Sequence, residues 1–182
     1  MDSADEESYK AFASTNALSL RRCAYLFCGD WHLAEDLMQA ALIKIYRAWP
    51  KMKHRHAVGA YARTVLLRTW MDERRRPWRR SETQHADVPD IEQVGADPAD
   101  AAGRAWTRDT VHRALLILPA RQRAALVLRY FEELSVAETA EVMRCSEGNV
   151  KSQTARGLAS LRKAVGAIAP RSGPNSLGTV TL

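Results

Sequence analysis

Residues 81–105, SETQHADVPDIEQVGADPADAAGRA, constrain the chain most. They hold Pro89, Gly95 and Pro98, six acidic residues against one Arg, and few large apolar side chains. Such a segment cannot bury enough surface to offset its own ordering entropy. It predicts a flexible linker and divides the 182 residues into two pieces, each the size of a small domain. The charge follows the same division: residues 1–80 carry 15 Lys+Arg and 9 Asp+Glu, the spacer 1 and 6, and residues 106–182 carry 11 and 6. Two basic blocks on either side of an acidic spacer suggest a polyanion held at two contact points. The last residues, Pro170–Leu182, are rich in Pro, Gly, Ser and Thr, and 169–182 read as a disordered tail.

The rest of the composition narrows the class. Apolar residues make up 46% and charged residues 26%, as in ordinary soluble proteins. Apolar stretches such as Ala114–Leu118 and Ala124–Leu128 are five residues long and Cys23–Cys28 is six, whereas a membrane helix needs about 20. The acidic opening Met1–Glu7 is unlike a secretory signal, and three cysteines make no disulfide framework. A cytoplasmic protein with no membrane contact is expected.

Helical spacing dominates both pieces, and nothing alternates like a strand. A first helix is expected over about Tyr9–Phe27. Leu37, Ala41, Ile45 and Trp49 mark one face of a second, with Asp30 as its cap and Pro50 as its stop. A third runs from about Val58 to Arg75. Beyond the spacer, a helix over Trp106–Leu118 is followed by Pro119, which favours a first helical turn, and by a helix through Ala124, Leu128 and Phe131. The fold class is therefore all-α: two small helical domains, 8–80 and 106–168, loosely tethered by the flexible linker 81–105.

The second domain contains a helix-turn-helix. Ser135 with Glu138 forms a capping box, the short helix it opens ends near Met143, and Ser146 caps a longer helix carrying Val150, Leu158 and Leu161 on one side. Gly148, Asn149 and Ser152 permit close approach to a nucleic-acid backbone, and Lys151, Gln153 and Arg156 can reach phosphates or base edges. In the first domain, Tyr46, Trp49, Tyr61, Trp70 and Trp78 lie among eleven Lys and Arg between residues 46 and 80. Rings among cations suit the stacking of unpaired bases. For Trp49 and Tyr61 a place in the apolar core fits equally well. A metal site at Cys23, Cys28 and His32 is disfavoured, because zinc sites use tighter, matched Cys pairs and free Cys in an apolar helix is commonly just buried. No nucleophile motif is present, so no enzyme activity, cofactor or metal is expected.

The runs Gly29-Asp30 with Ala34–Trp49, Tyr61–Leu67, and Leu118–Tyr130 with Leu134-Ser135, Glu138–Ala140 and Gly148–Ser152 together resemble the extracytoplasmic-function (ECF) group of the sigma-70 family, in particular SigE-type members of actinobacteria. The resemblance covers about residues 8–168. It implies that residues 8–80 form sigma domain two, which docks on the β′ clamp of core RNA polymerase and captures the melted −10 element. The linker would thread toward the active-site channel, and residues 106–168 would form sigma domain four, which reads −35 duplex and meets the β flap. Carried over residue by residue, it assigns Asp36, Leu37, Gln39, Leu42 and Tyr46 to core polymerase. Lys51, Lys53, Arg55, His56, Arg63 and Arg68 go to −10 DNA, and Lys151, Ser152 and Arg156 to −35 DNA, beside Gly148, Asn149 and Gln153, which the helix's own chemistry adds. Arg68 stands where the family usually has Asn, and Gln153, Thr154 and Ala155 depart from the usual recognition helix, which bears on promoter sequence. The implied partners are core RNA polymerase, promoter DNA and, as in many members, an anti-sigma factor.

Overall fold

The computed structural model describes residues 3–52, 58–75 and 98–168. All regular structure among them is helical: α1 (Ser3–Cys28), α2 (Trp31–Ala48), a 3-10 turn (Trp49–Lys51), α3 (Val58–Arg75), α4 (Pro98–Ile117), α5 (Ala120–Leu126), a π turn (Val127–Phe131), α6 (Val136–Met143) and α7 (Glu147–Ile168).

Local chemistry sets the bounds. Gly29 at φ 80 supplies the left-handed step that ends α1. Asp30, in extended backbone, then accepts the Leu33 N–H at 2.7 Å and caps α2. This turn sends α2 back along α1. Tyr25 meets Trp31 at one end of the pair, and Tyr9 meets Tyr46 and Trp49 at the other. Ala34, Leu37, Met38, Ala41 and Ile45 form the inner face of α2. α3 closes the three-helix group through Ala62, Val65, Leu66 and Trp70, whose ring stacks on Phe27 at 4.9 Å. Aromatic pairs of this kind add about 0.5–1.5 kcal/mol beyond the area they bury.

In the C-terminal region Ser135 and Glu138 cap each other as expected: the Ser135 hydroxyl accepts the Glu138 N–H at 3.1 Å, and the Glu138 carboxylate accepts the Ser135 N–H at 2.7 Å. α6 ends on Arg144 in left-handed geometry at φ 48, and the Ser146 hydroxyl accepts the Asn149 N–H at the start of α7. α4, α5 and α6 all pack on α7. At Gly157 it lies so near α5 that a Cβ would be 3.0 Å from the Leu126 Cγ.

Three features differ from the sequence-based expectation. First, α4 begins at Pro98 rather than near Trp106. Proline is tolerated in a first helical turn, where its missing N–H has no helical acceptor anyway, and the Ala-rich run behind it favours helix. Residues 98–105 thus belong to a helix, while 81–97 and the tail 169–182 lie outside the described residues. Second, the helix after Pro119 is not uniformly α. It widens into the π turn, and Glu133 follows with φ 54. Third, the two helical regions are not separate bodies. Ala124, Val127, Leu128 and Val142 share one buried cluster with Phe27, Leu66 and Trp70 of the N-terminal region. Apolar faces of the C-terminal region are thus partly covered by the N-terminal one.

Candidate nucleic-acid interface

The N-terminal region presents one exposed polar edge on α2. Asp36 and Gln39 are exposed there, and Gln39 donates to Glu35 at 3.4 Å. Glu35 in turn pairs with Arg21 at 3.2 Å. Tyr46 is 42% exposed and edges onto Tyr9 at 4.9 Å. Leu42 is half-buried against the core. Leu37 is a correction: at 2% exposure it belongs to the core, because it sits on the inner stripe with Ala41 and Ile45, so it holds α2 in place and presents no surface. Ile43, 52% exposed on the outer face, is the apolar surface residue that the sequence reading passed over. Two residues from both Ala41 and Ile45, it falls opposite the inner stripe at helical spacing.

Among the basic residues assigned to single-stranded DNA, Lys51 is exposed, and Lys53, Arg55 and His56 lie outside the described residues. Arg68 is half-buried on α3. Arg63 is not free: its Nε donates to the Glu132 carboxylate at 2.6 Å, across the boundary between the two regions. The aromatic question resolves by position. Trp49 and Trp70 are buried, with the Trp49 indole N–H donating to Ser8 at 3.0 Å, whereas Tyr61 stays 39% exposed on α3. Tyr61 thus keeps a ring at the surface of α3 that can stack on a base, as Tyr46 does on α2. Cys23 is buried, and burial pushes its thiol well above the ordinary range. The Cys28 thiol donates to the Asp30 carbonyl at 3.2 Å, and burial raises it to about 11. Both are therefore protonated thiols at neutral pH.

The C-terminal set comes together on the first turns of α7. Gly148, Lys151 and Arg156 are exposed, and Asn149, Ser152 and Gln153 are half-buried beside them. Val150 and Gly157 face inward and seat the helix against α5 and α6. The result is a recognition-type helix with cations outward and a packed back.

Arg123 is the basic residue that charge counting misplaced. It is buried, and its guanidinium donates to the carbonyl oxygens of Phe27 (2.6 Å), Leu116 and Leu118 (3.2 Å). Burial, reinforced by Arg74, lowers its pKa to about 10, so it remains a cation at neutral pH. Its role is to tie the end of α1 to the α4–α5 corner.

Comparison with known proteins agrees with this layout. Sigma-70 region 2 matches residues 12–80 and Sigma-70 region 4 matches residues 108–161. The RNA polymerase sigma-E factor of Streptomyces coelicolor is 34% identical over 160 residues, covering 85% of this chain and 84% of the relative. The ECF RNA polymerase sigma factor SigM of Mycobacterium tuberculosis is 31% identical over 147 residues, covering 81% and 71%. In fold, the chain is similar to the sigma factor RpoE of Bartonella quintana, solved with the anti-sigma factor NepR. That match has a TM-score of 0.69 and 22% identity, and it covers 88% of this chain and 98% of that one. CnrH, solved with the cytosolic domain of CnrY, gives a TM-score of 0.64 at 18% identity, covering 90% and 91%. The paired regions, the helix-turn-helix and these relatives together place the chain in the sigma-70 family of RNA polymerase sigma factors, in its ECF group.

Proposed function

We propose that this sigma factor divides its work between the two faces described above. Asp36, Gln39 and Tyr46 on α2, with Ile43 beside them, dock on the clamp of core RNA polymerase. Lys51, Arg63, Arg68 and the exposed Tyr61 ring, together with Lys53, Arg55 and His56, receive the opened −10 strand. The first turns of α7 enter the major groove of the −35 element. Lys151 and the helix N-terminus serve phosphates, and Arg156 and Gln153 serve base edges. The nucleotide chemistry stays with the core enzyme, and the chain acts in the cytoplasm where that enzyme is. An anti-sigma protein is a third partner in this reading, by analogy with the complexes of its structural relatives.

The observation that carries the reading is the exposure of Lys151 and Arg156 on a helix seated by Val150 and Gly157. The experiment is run-off transcription by core polymerase with the wild-type or variant protein on a panel of −35 variants. An Arg contact to a base edge is worth about 1–3 kcal/mol of discrimination. Arg156→Ala should therefore cost about tenfold or more on the preferred −35 sequence. Lys151→Ala should weaken all sequences alike and lower the salt slope by about one. Wild-type activity and preference in both variants would remove α7 as the reader.

A further inference from the structure

The turn of the helix-turn-helix is made by an arginine in strained backbone. Arg144 ends α6 at φ 48 and ψ 58, in the left-handed region. A glycine sits there without strain and a residue with a Cβ does not, so helices that end in this way usually end on glycine. The step is pinned on both sides. The Arg144 N–H donates to the Glu141 carbonyl at 3.2 Å, and the Cys145 N–H donates to the Ala140 carbonyl at 3.0 Å. Two residues on, the Ser146 hydroxyl accepts the Asn149 N–H at 3.2 Å. This backbone needs the left-handed turn, but nothing in it needs an arginine.

The Arg144 side chain is exposed and makes no ion pair or side-chain hydrogen bond among the described residues. It lines a shallow concavity with Glu141 at the end of α6 and Glu147 at the start of α7. Its charge is also alone along the chain: from Tyr130 to Val150 there are five Glu and a single basic residue, Arg144. Glu132 is held by Arg63, and Glu138 is held by the Ser135 N–H. The carboxylates of Glu141 and Glu147 are exposed and have no partner among the described residues. When a helix-turn-helix docks, its first helix crosses the phosphate backbone and the N-terminal residues of its second helix reach base edges. The residue that joins the two helices therefore lies at the lip of the groove, beside a phosphate strand. Without Arg144 this shoulder carries only carboxylates and repels that strand. With it, a guanidinium fork suited to phosphate oxygens stands there. Residues held in sparsely populated backbone cluster where a side chain serves function.

Resting on the reading of α7 as the −35 reader, we propose that Arg144 is a further DNA-contacting residue. From the turn, outside α7, it clamps one phosphate of the −35 duplex. That clamp sets the register at which Lys151, Gln153 and Arg156 enter the groove, as phosphate contacts do.

The test uses holoenzyme assembled from core polymerase and the full chain, on the promoter duplex that gives most run-off transcript with wild type. Arg144→Gly and Arg144→Asn both remove the charge, and both residues suit left-handed backbone. The thermal midpoint of the free variants should therefore hold or rise. Affinity for the duplex is measured across a salt series. One phosphate contact contributes about 0.9 to the slope of log affinity against log salt. Both variants should lose that much slope, so their deficit should be about threefold larger at about 50 mM salt than at about 200 mM. Single phosphates of the −35 element are then replaced by neutral methylphosphonates. One such replacement should weaken wild type and leave both Arg144 variants unchanged, while Lys151→Ala loses its response at a different position. A full wild-type slope in both variants overturns the proposal, as does a wild-type pattern of methylphosphonate responses. If Lys151→Ala loses its position while the Arg144 variants keep every response, the reading of α7 stands and the clamp alone is refuted. If wild type responds to no methylphosphonate in the −35 element, the reading of α7 has failed and the clamp falls with it.

Discussion

Two glycines on the same helix should respond to alanine with opposite signs. Gly157 and Gly166 both lie in α7. Replacing an interior helical glycine with alanine ordinarily gains about 0.5–1 kcal/mol, because alanine has less backbone freedom to lose. At Gly166 a new Cβ meets nothing within 4 Å, so the gain should appear in full. The midpoint should rise by about 1–4 °C for a chain of this length. At Gly157 the Cβ would lie 3.0 Å from the Leu126 Cγ, 3.2 Å from its Cδ1 and 3.3 Å from the Gln122 carbonyl oxygen. Leu126 is itself buried in a cluster with Leu115 and Leu118, and the Gln122 oxygen belongs to the α5 backbone. Neither can step aside cheaply, and overpacking of this kind costs about 1–3 kcal/mol. After the propensity gain is subtracted, about 1 kcal/mol is lost and the midpoint falls by about 2–4 °C. Urea and thermal unfolding followed by circular dichroism give both numbers. Midpoints that move in the same direction would refute the close α5–α7 approach at Gly157.

Other expectations follow from single contacts. Asp36→Ala with Gln39→Ala should weaken binding to core polymerase while leaving helicity unchanged, since both side chains are exposed on α2; a binding titration with unaltered affinity would exclude that edge. Ser135→Ala removes the hydroxyl that accepts the Glu138 N–H and should cost about 1 kcal/mol in urea unfolding. Burial pushes His112 below its ordinary 6.5, against the Tyr25 backbone and Asp109, which favour its cation. The unfolded chain therefore takes up this proton first, and the contribution of His112 to stability is present above pH 6.5 and is lost as the pH falls below it. His112→Phe, which keeps a flat ring against Tyr25, should flatten that part of the stability-against-pH curve; an unchanged slope would assign the acid sensitivity to other groups.

The parts of the fold that the sequence made legible are those set by neighbours along the chain. The Asp30 cap, the span Val58–Arg75, the Ser135–Glu138 box and the Ser146 cap were all readable because a cap needs only the next three residues. The outward set on α7 was readable for a similar reason, since helical periodicity separates Val150 from Lys151 and Arg156. What stayed hidden depends on residues far apart. Charge counting includes Arg123 in the C-terminal basic block, yet its acceptors are three carbonyls, one of them 96 positions away. The family resemblance grouped Leu37 with Asp36 and Gln39, although the stripe it shares with Ala41 and Ile45 turns it to the other side of the helix. The π turn left no trace, because Val127–Phe131 has the composition of an ordinary helix.

The boundary between the regions was hidden for a deeper reason. Val127, Leu128 and Val142 fall in apolar stripes whatever surface covers them, and the Arg63–Glu132 pair joins positions 69 residues apart with no periodic mark. A hydrophobic stripe specifies that a face must be covered, not which surface covers it.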